Sequence, residues 1–251
     1  MQWRSECLMF LKDRDWSYPL EGLDRKFDEN YDTTAEKFHM ARGDFLREWH
    51  FLEILWSRLQ DAYRIFYDSR SQIKEATKEN FKHNVKIGRL LMRSFDLIHL
   101  DTNCFILNAR ILMDGVAYLT VFFWQKIAKE QPSWRSFREH KEWFEKPNNR
   151  SKIVDKKYTE YIIQNTDWFE KELKFSRDKL IVHRFRSKDS YYINAFKEDS
   201  GTVMKGKAIF KDKEGNIVVE YDMKEIPNLN GLMDDICDFL NFFDRHFSQM
   251  L

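Results

Sequence analysis

Hydrophobic positions recur every three or four residues along most of the chain, which predicts helices. Thr33 and Glu36 have the spacing of a capping box, so a long helix is predicted to begin there. Large apolar side chains then form a heptad seam, which is typical of a bundle core within one chain or of a contact between two copies, with the bundle core favoured. The seam consists of Phe45, Trp49, Leu52, Trp56, Leu59, Tyr63 and Phe66.

Two further apolar patterns follow this helix. Residues 72–99 predict a second helix, and Asp101 or Thr102 is predicted to cap a third. The third contains the most apolar stretch, CFILNARILMDGVAYLTVFFW, which is almost long enough to span a bilayer. Each charge at the centre of a membrane costs about 2.5–3.5 kcal/mol. Because the stretch includes an arginine and an aspartate, we predict a buried bundle helix instead.

The last part of the chain combines helix with strand. A charged connector at 131–156 precedes a helix predicted from about 168 to 186, where Asp167 and Glu170 repeat the capping signature. Residues 190–223 contain runs rich in β-branched and aromatic side chains, which are typical of a small antiparallel hairpin or three-stranded meander. An amphipathic helix closes the chain.

Composition agrees with this pattern. Only 8 Gly and 4 Pro occur in 251 residues, and 43% of the residues are hydrophobic, which favours helices around a substantial core. We therefore predict the mainly α class, with one helical-bundle domain over residues 1–251. Residues 1–32 are predicted to be an irregular N-terminal segment, and the β insertion precedes the last helix.

Charge and cysteine content limit the functional classes. The 42 basic and 41 acidic residues nearly cancel, so any nucleic-acid binding must come from a local basic patch. Cys7, Cys104 and Cys237 are far apart, which argues against a disulfide framework and against a zinc knuckle. The first residues lack the apolar run of a secretory signal, so we expect a cytoplasmic protein with no membrane partner.

Candidate chemistry lies in the stretch SRDKLIVHR, which holds Arg177, Asp178 and His183. A similar Arg-to-His spacing occurs in RSFDLIH, residues 93–99, and in RSFREH, residues 135–140, so spacing alone does not choose between the three. Two features distinguish the first stretch: it carries an acidic residue where the others carry serine, and it lies late in the chain, after the most apolar helix.

Local charge is the third feature. Residues 171–188 hold seven basic residues and two acidic ones, a net charge of +5 in a chain of net +1. Such a segment attracts phosphate groups. The predicted RNA- or phosphate-binding residues are Lys174, Lys179, Arg184 and Arg186.

The pattern of arginine, polar residue and histidine resembles the signature of the HEPN superfamily, helical proteins many of which are metal-independent ribonucleases. The resemblance implies an HEPN-like bundle that cleaves RNA by attack of the 2′-OH, without a metal or other cofactor. His183 would act as general base or acid, Arg177 would bind the scissile phosphate, and Asp178 would orient one of them. Histidine can exchange a proton near neutrality, and the arginine fork can donate two parallel hydrogen bonds.

The resemblance also implies partners. Two motif helices would form one composite cleft, so a homodimer is expected, with RNA as substrate and an antitoxin or inhibitor protein as a further partner. Toxins paired with a nucleotidyltransferase antitoxin often continue the motif as His-x-Tyr, whereas here Phe185 takes the tyrosine position. This favours an abortive-infection or stress-type member, with a role in antiviral defence.

Three charged or polar side chains inside the apolar third helix are candidates for a supporting role. Arg110 and Asp114 are four residues apart and predict an ion pair. This pair is either structural or, together with Asn108, orients the side chains of the motif.

Two other interpretations stay open. Glu36-x-x-His39 and Asp96-x-x-His99 resemble halves of a di-iron carboxylate bundle, although the further glutamates such a site needs are missing, and no metal is expected. The alternative function is a non-catalytic helical module that binds nucleotide, nucleic acid or a protein partner with the same basic helix.

Overall fold

The protein is a helical bundle, as its apolar periodicity predicts. The structure, a computed structural model, describes residues 11–14, 16–29, 31–74, 77–174, 190–198, 201–211, 217–222 and 229–251, with only the backbone for 172, 174 and the three strands. Its α-helices are α1 (Glu21–Glu29), α2 (Thr33–Ser71), α3 (Phe81–Leu119), α4 (Trp124–Ile127), α5 (Phe137–Glu145), α6 (Lys156–Asn165) and α7 (Leu229–Ser248).

Helices α2 and α3 form a long antiparallel hairpin. Each has 39 residues, or about 58 Å at the usual rise. The rings of Trp56 and Phe105 lie 5.6 Å apart, and an added Cβ on Gly115 would lie 3.7 Å from Phe45. The heptad seam of α2 is therefore an intramolecular core from Phe45 to Leu59.

The start of α2 differs by one residue from the predicted cap. Asp32, not Thr33, is the N-cap, because its carboxylate accepts hydrogen bonds from the backbone N–H groups of Thr34 and Ala35, both at 2.8 Å. Aspartate and threonine are both good N-caps, and the sequence offers them side by side.

The predicted break near residue 100 is absent, because α3 runs without interruption from Phe81 to Leu119. Asp101, expected to cap a new helix, is buried at 2% exposure and lies 2.9 Å from the Arg58 guanidinium on α2. Burial raises the pKa of Asp101, while Arg58 acts in the opposite direction. A cross-helix ion pair thus accommodates an aspartate in the middle of a helix.

The predicted irregular segment 1–32 contains a helix, α1. Leu23 and Phe27, four residues apart, are its buried side chains. Its first turn is capped from another element, since the Asp244 carboxylate on α7 accepts from the N–H groups of Gly22, at 3.0 Å, and Leu23, at 2.7 Å. No local sequence signal indicates this partner, which is more than 200 residues away.

Aromatic side chains pack α7 against the segment that follows α3 and against α5. Phe123 and Phe247 stack with ring centroids 4.4 Å apart, and Phe137 packs edge-on against Phe239 at 5.3 Å. Within this layer, Tyr161 of α6 stacks on Phe242 of α7. The charged connector contains α5 and a 3₁₀ turn at Pro147–Lys152.

Three strands lie between α6 and α7 in the chain: β1 (Ser190–Glu198), β2 (Gly201–Lys211) and β3 (Ile217–Asp222). They pair antiparallel in the order β1-β2-β3, with Glu198 opposite Gly201 and Lys207 opposite Asp222. The hairpin or three-stranded meander predicted for residues 190–223 stays a prediction as a packed unit of the fold, because the described part of these strands is their backbone.

Among the described residues, one helical stretch, Phe81–Ile127, is long and apolar enough to cross a membrane, and 56% of its most apolar window is buried inside the protein. Much of that surface is therefore already covered by neighbouring helices, as expected for the central helix of a bundle.

Candidate functional site

The motif stretch SRDKLIVHR lies outside the described residues. This applies to Arg177, Asp178 and His183, and to the predicted RNA-binding residues Lys179, Arg184 and Arg186. Lys174 has a described backbone only. Before the motif, the last described residues are those of the turn Phe169–Lys174.

That turn is anchored in the core. Phe169 and Leu173 are fully buried, and Trp168 is nearly so. The Phe169 ring packs edge-on against Phe137 of α5, with centroids 4.8 Å apart. Sequence analysis did not single out Phe169 or Phe137, because an aromatic side chain at helical spacing carries no signal for what it packs against.

The same turn has an unusual backbone. Residues Phe169–Lys174 form a π-helix, which accounts for well under 1% of residues in globular proteins and often occurs at functional sites. The sequence predicts an α-helix from about residue 168. The first part of that helix, Phe169–Lys174, has π-helical geometry instead.

Arg110 on α3 lies directly over this turn. Its guanidinium carbon is 4.3 Å from the centroid of the Phe169 ring, and its Nε lies 3.4 Å from an Asp114 carboxylate oxygen. The ion pair predicted from the four-residue spacing is thus present, and it lies at the base of the segment that carries the motif.

Asp114 and Asn108 have structural contacts of their own. Asp114 also accepts a hydrogen bond of 2.8 Å from the backbone N–H of Phe137, and so ties α3 to the start of α5. Asn108 donates to the carbonyl of Cys104 on its own helix. Of the three residues predicted to support the motif, Arg110 contacts the turn leading into it through the Phe169 ring.

Asp167 does not cap the helix that follows, as the sequence pattern predicted. Its carboxylate is 3.0 Å from the amino group of Lys141, which is buried, and 3.3 Å from that of Lys171. The hydrogen bond from Lys141 is the main reason that the pKa of Asp167 is lowered. A tertiary ion pair has taken the place of a local cap.

The first rival Arg-to-His stretch, RSFDLIH, lies on α3. Ser94, which follows the arginine, is buried, and its hydroxyl donates to carbonyl oxygens of the preceding turn. Arg93 and His99 are six residues apart on a continuous helix, so they are rotated by about 240° and do not share a face, and Arg177 and His183 have the same spacing in the sequence. The polar residue of this stretch therefore bonds to its own helix, which separates RSFDLIH from a site in which that residue is free to act.

The second rival, RSFREH, belongs to the core around α5. Ser136 is the N-cap of that helix and accepts from the Glu139 N–H. His140 is fully buried, 2.8 Å from the Ser133 carbonyl through Nδ1 and 3.0 Å from the Tyr158 hydroxyl through Nε2. Since a carbonyl only accepts, Nδ1 carries the proton and Nε2 accepts from Tyr158. Burial lowers the pKa of His140 to about 4.

A second buried histidine forms a pair that resembles part of a catalytic site. His246 Nε2 donates to the Asp155 carboxylate at 2.6 Å, and the other oxygen of Asp155 accepts from the Tyr158 N–H at the start of α6. Both side chains are about 5% exposed, so no substrate can reach them. The pair joins α6 to α7, and its two members are 91 positions apart in the sequence.

Neither histidine of the di-iron interpretation has the surroundings of a metal ligand. No group of three or more His, Cys, Asp or Glu side chains that could hold a metal ion is found in the part of the chain that the structure describes. His39 lies between the carboxylates of Asp24 and Asp28, each 3.1 Å from a different ring nitrogen. His99 Nε2 lies 3.4 Å from the Asn103 amide.

Comparisons with protein-family models, with curated proteins and with solved structures found no match to this chain. The functional argument therefore rests on the residues of this chain.

Proposed function

We propose that the protein is a cytoplasmic, metal-independent endoribonuclease of the HEPN type that works as a homodimer in defence or stress response. The observation that carries the proposal is the sequence Arg177, Asp178 and His183 in a segment of net charge +5. Each of these residue types has a role in RNA cleavage at neutral pH.

The proposed reaction is an internal transfer at phosphorus. His183 of one copy takes the proton of the 2′-OH, and the 2′-oxygen forms a bond to the adjacent phosphorus as the bond to the 5′-oxygen breaks. His183 of the other copy, protonated, gives its proton to that leaving oxygen. Arg177 binds the phosphoryl oxygens, where negative charge develops. The products are a 2′,3′-cyclic phosphate and a 5′-hydroxyl.

Support for this choice of residues comes from the two rival stretches. His140 is buried in the core, so RSFREH offers no accessible pair, and in RSFDLIH the polar residue after the arginine, Ser94, is buried and bonded to its own helix. Further support comes from the turn before the motif, where Phe169 is held under Arg110 by buried contacts. A catalytic segment needs such a rigid base, because small displacements of reacting groups are costly.

The test is cleavage of structured and single-stranded RNA by purified protein in EDTA. We expect wild-type protein to leave 2′,3′-cyclic phosphate ends, and Arg177→Ala/His183→Ala to lose the activity by at least a hundredfold, since general acid–base catalysis alone contributes roughly 10²–10⁴-fold. A matched control is Arg47→Ala/His50→Ala, which also removes one arginine and one histidine, both well exposed on α2.

Full activity in the motif variant, or absence of cleavage by wild type on every RNA, contradicts the proposal. Binding of RNA by wild type without cleavage would instead identify a non-catalytic helical module. Activity that requires an added divalent metal would point to a different chemistry altogether.

A further inference from the structure

Four basic side chains form a stripe on the first half of α3. Lys82, Lys86, Arg89 and Arg93 follow one another at intervals of four, three and four residues, and all four are exposed. This spacing keeps them on one face of a helix. The stripe is about 17 Å long, enough to contact several phosphates of one nucleic-acid strand.

The stripe has no acidic partner within the described residues. No carboxylate there lies within ion-pair distance of its four cations, and the sequence from 82 to 93 contains no Asp or Glu. The arginines of α2 differ, since Arg58 and Arg64 each pair with a carboxylate at 2.9 and 2.8 Å. Like charges four residues apart destabilise a helix. Helix stability therefore does not explain this arrangement.

Exposed apolar side chains lie beside the stripe. Phe81 is 67% exposed and Met92 is 62% exposed. Thr77, Lys78, Phe81, Asn84 and Val85 line a shallow cavity of about 610 Å³ at the start of α3. An exposed aromatic ring next to a row of cations is the arrangement by which proteins hold single strands, with bases stacked on the ring and phosphates on the cations.

We propose that this face of α3 binds single-stranded RNA, with phosphates on the four cations and a base on Phe81. The choice of RNA rests on the proposed function, whereas the residues of this site, from 81 to 93, are different from those of the motif segment 171–188. A membrane surface fits less well, because a helix that lies in an interface needs a broad apolar face. Here the exposed apolar side chains along one side of the stripe, Phe81, Val85 and Met92, span only about 40° around the helix, and Ile87 is buried inside the protein.

The test measures binding of a fluorescein-labelled single-stranded RNA 20-mer by anisotropy, in EDTA. All proteins carry Arg177→Ala/His183→Ala, so that no cleavage occurs. Arg89→Gln/Arg93→Gln is compared with a matched control, Arg47→Gln/Arg64→Gln, which removes the same charge from two exposed arginines of α2. Circular dichroism checks that both variants are folded.

Each phosphate contact to a single strand contributes about −0.7 to the slope of log K against log salt. If α3 makes four such contacts, they lower the binding constant for RNA about 50-fold between 50 and 200 mM salt. Two contacts lower it only about sevenfold. We expect the weaker salt dependence in Arg89→Gln/Arg93→Gln and no change in the control. Phe81→Leu is expected to weaken binding about fivefold or more, because stacking is lost.

Equal affinity and salt slope in the stripe variant and the control overturn the proposal. So does binding to phosphatidylserine vesicles that is lost in the stripe variant, if no RNA is bound.

The failure of one proposal can be told from the failure of the other. Loss of the salt slope in the stripe variant, with no cleavage by wild type, supports the stripe and contradicts the nuclease. Cleavage by wild type with no effect of the stripe variant gives the reverse result.

Discussion

At the scale of single residues, burial decides what each histidine can do. His140 and His246 lie in the core, where their Nε2 atoms bond to Tyr158 and to Asp155 respectively. His50, by contrast, is exposed beside Glu53. The residue type is the same in each case, so the accessibility of the ring is what separates a structural histidine from a candidate for catalysis.

The buried His140 predicts an acid-sensitive fold. Its pKa is about 4 in the folded protein, whereas an unfolded histidine titrates near 6.5. Between these values the unfolded chain binds a proton that the folded chain does not, so stability is lost as the pH falls below 6.5. The loss from this group should reach about 2 kcal/mol at pH 5. Urea unfolding followed by circular dichroism at a series of pH values measures it.

The variant His140→Gln is neutral at every pH and keeps one donor and one acceptor. We expect it to be less stable than wild type at pH 7.5 but to lose less stability between pH 6.5 and 5. An identical pH dependence in both proteins would show that another group is responsible.

At the scale of elements, the residue at which a helix begins and the length over which it continues depend on residues far away in the sequence. Asp101 allows α3 to continue because Arg58 of α2 reaches it. Helix α1 is capped by α7, and the two approach so closely that an added Cβ on Gly22 would lie 2.7 Å from an Asp244 oxygen. The sequence patterns near these residues indicate a helix end at Asp101 and an irregular segment around Gly22, because such patterns describe only local hydrogen bonding.

The cap on α1 can be tested directly. Asp244→Ala removes the acceptor of two backbone N–H groups, and we expect it to cost about 1–2 kcal/mol in the free energy of unfolding. Asp238→Ala is a matched control on the same helix, since Asp238 is exposed. Chemical denaturation of both variants gives the comparison. A loss of equal size in the two would mean that the contact to α1 contributes little.

At the scale of the whole molecule, the proposed composite site ties activity to assembly. One chain has a mass of 30.7 kDa, so sedimentation should give a particle of twice that mass at micromolar concentration. Once the protein is diluted below its dimer dissociation constant, the activity per chain should fall about tenfold for each tenfold dilution. Arg177→Ala/His183→Ala should sediment like wild type. A monomer whose activity per chain is unaffected by dilution would contradict the composite site.

Several features of the fold could be predicted from particular residues. The seam from Phe45 to Leu59 indicated a buried face of α2, and the period of the last segment indicated α7. The four-residue spacing of Arg110 and Asp114 indicated their ion pair. Each of these signals lies within a few turns of one helix, where spacing in the sequence determines spacing in the structure.

The candidate site could be predicted only as a motif and a local charge. Choosing Arg177 and His183 over two similar stretches needed Asp178 and the +5 segment, and the structure adds that the rival His140 is buried. The basic stripe on α3 was not predicted, although its spacing is visible in the sequence. Its significance depends on exposure and on the absence of carboxylate partners among the described residues, neither of which a linear pattern contains.

The sequence by itself determined the helical class, because apolar periodicity and the scarcity of Gly and Pro act through local backbone preferences. Only the tertiary structure decided that α3 is continuous, that α1 forms, and that His140 and His246 belong to the core. The physical reason is that burial and ion pairing depend on groups far apart in the chain. The partners of Asp101, Gly22 and His246 lie 43, 222 and 91 positions away.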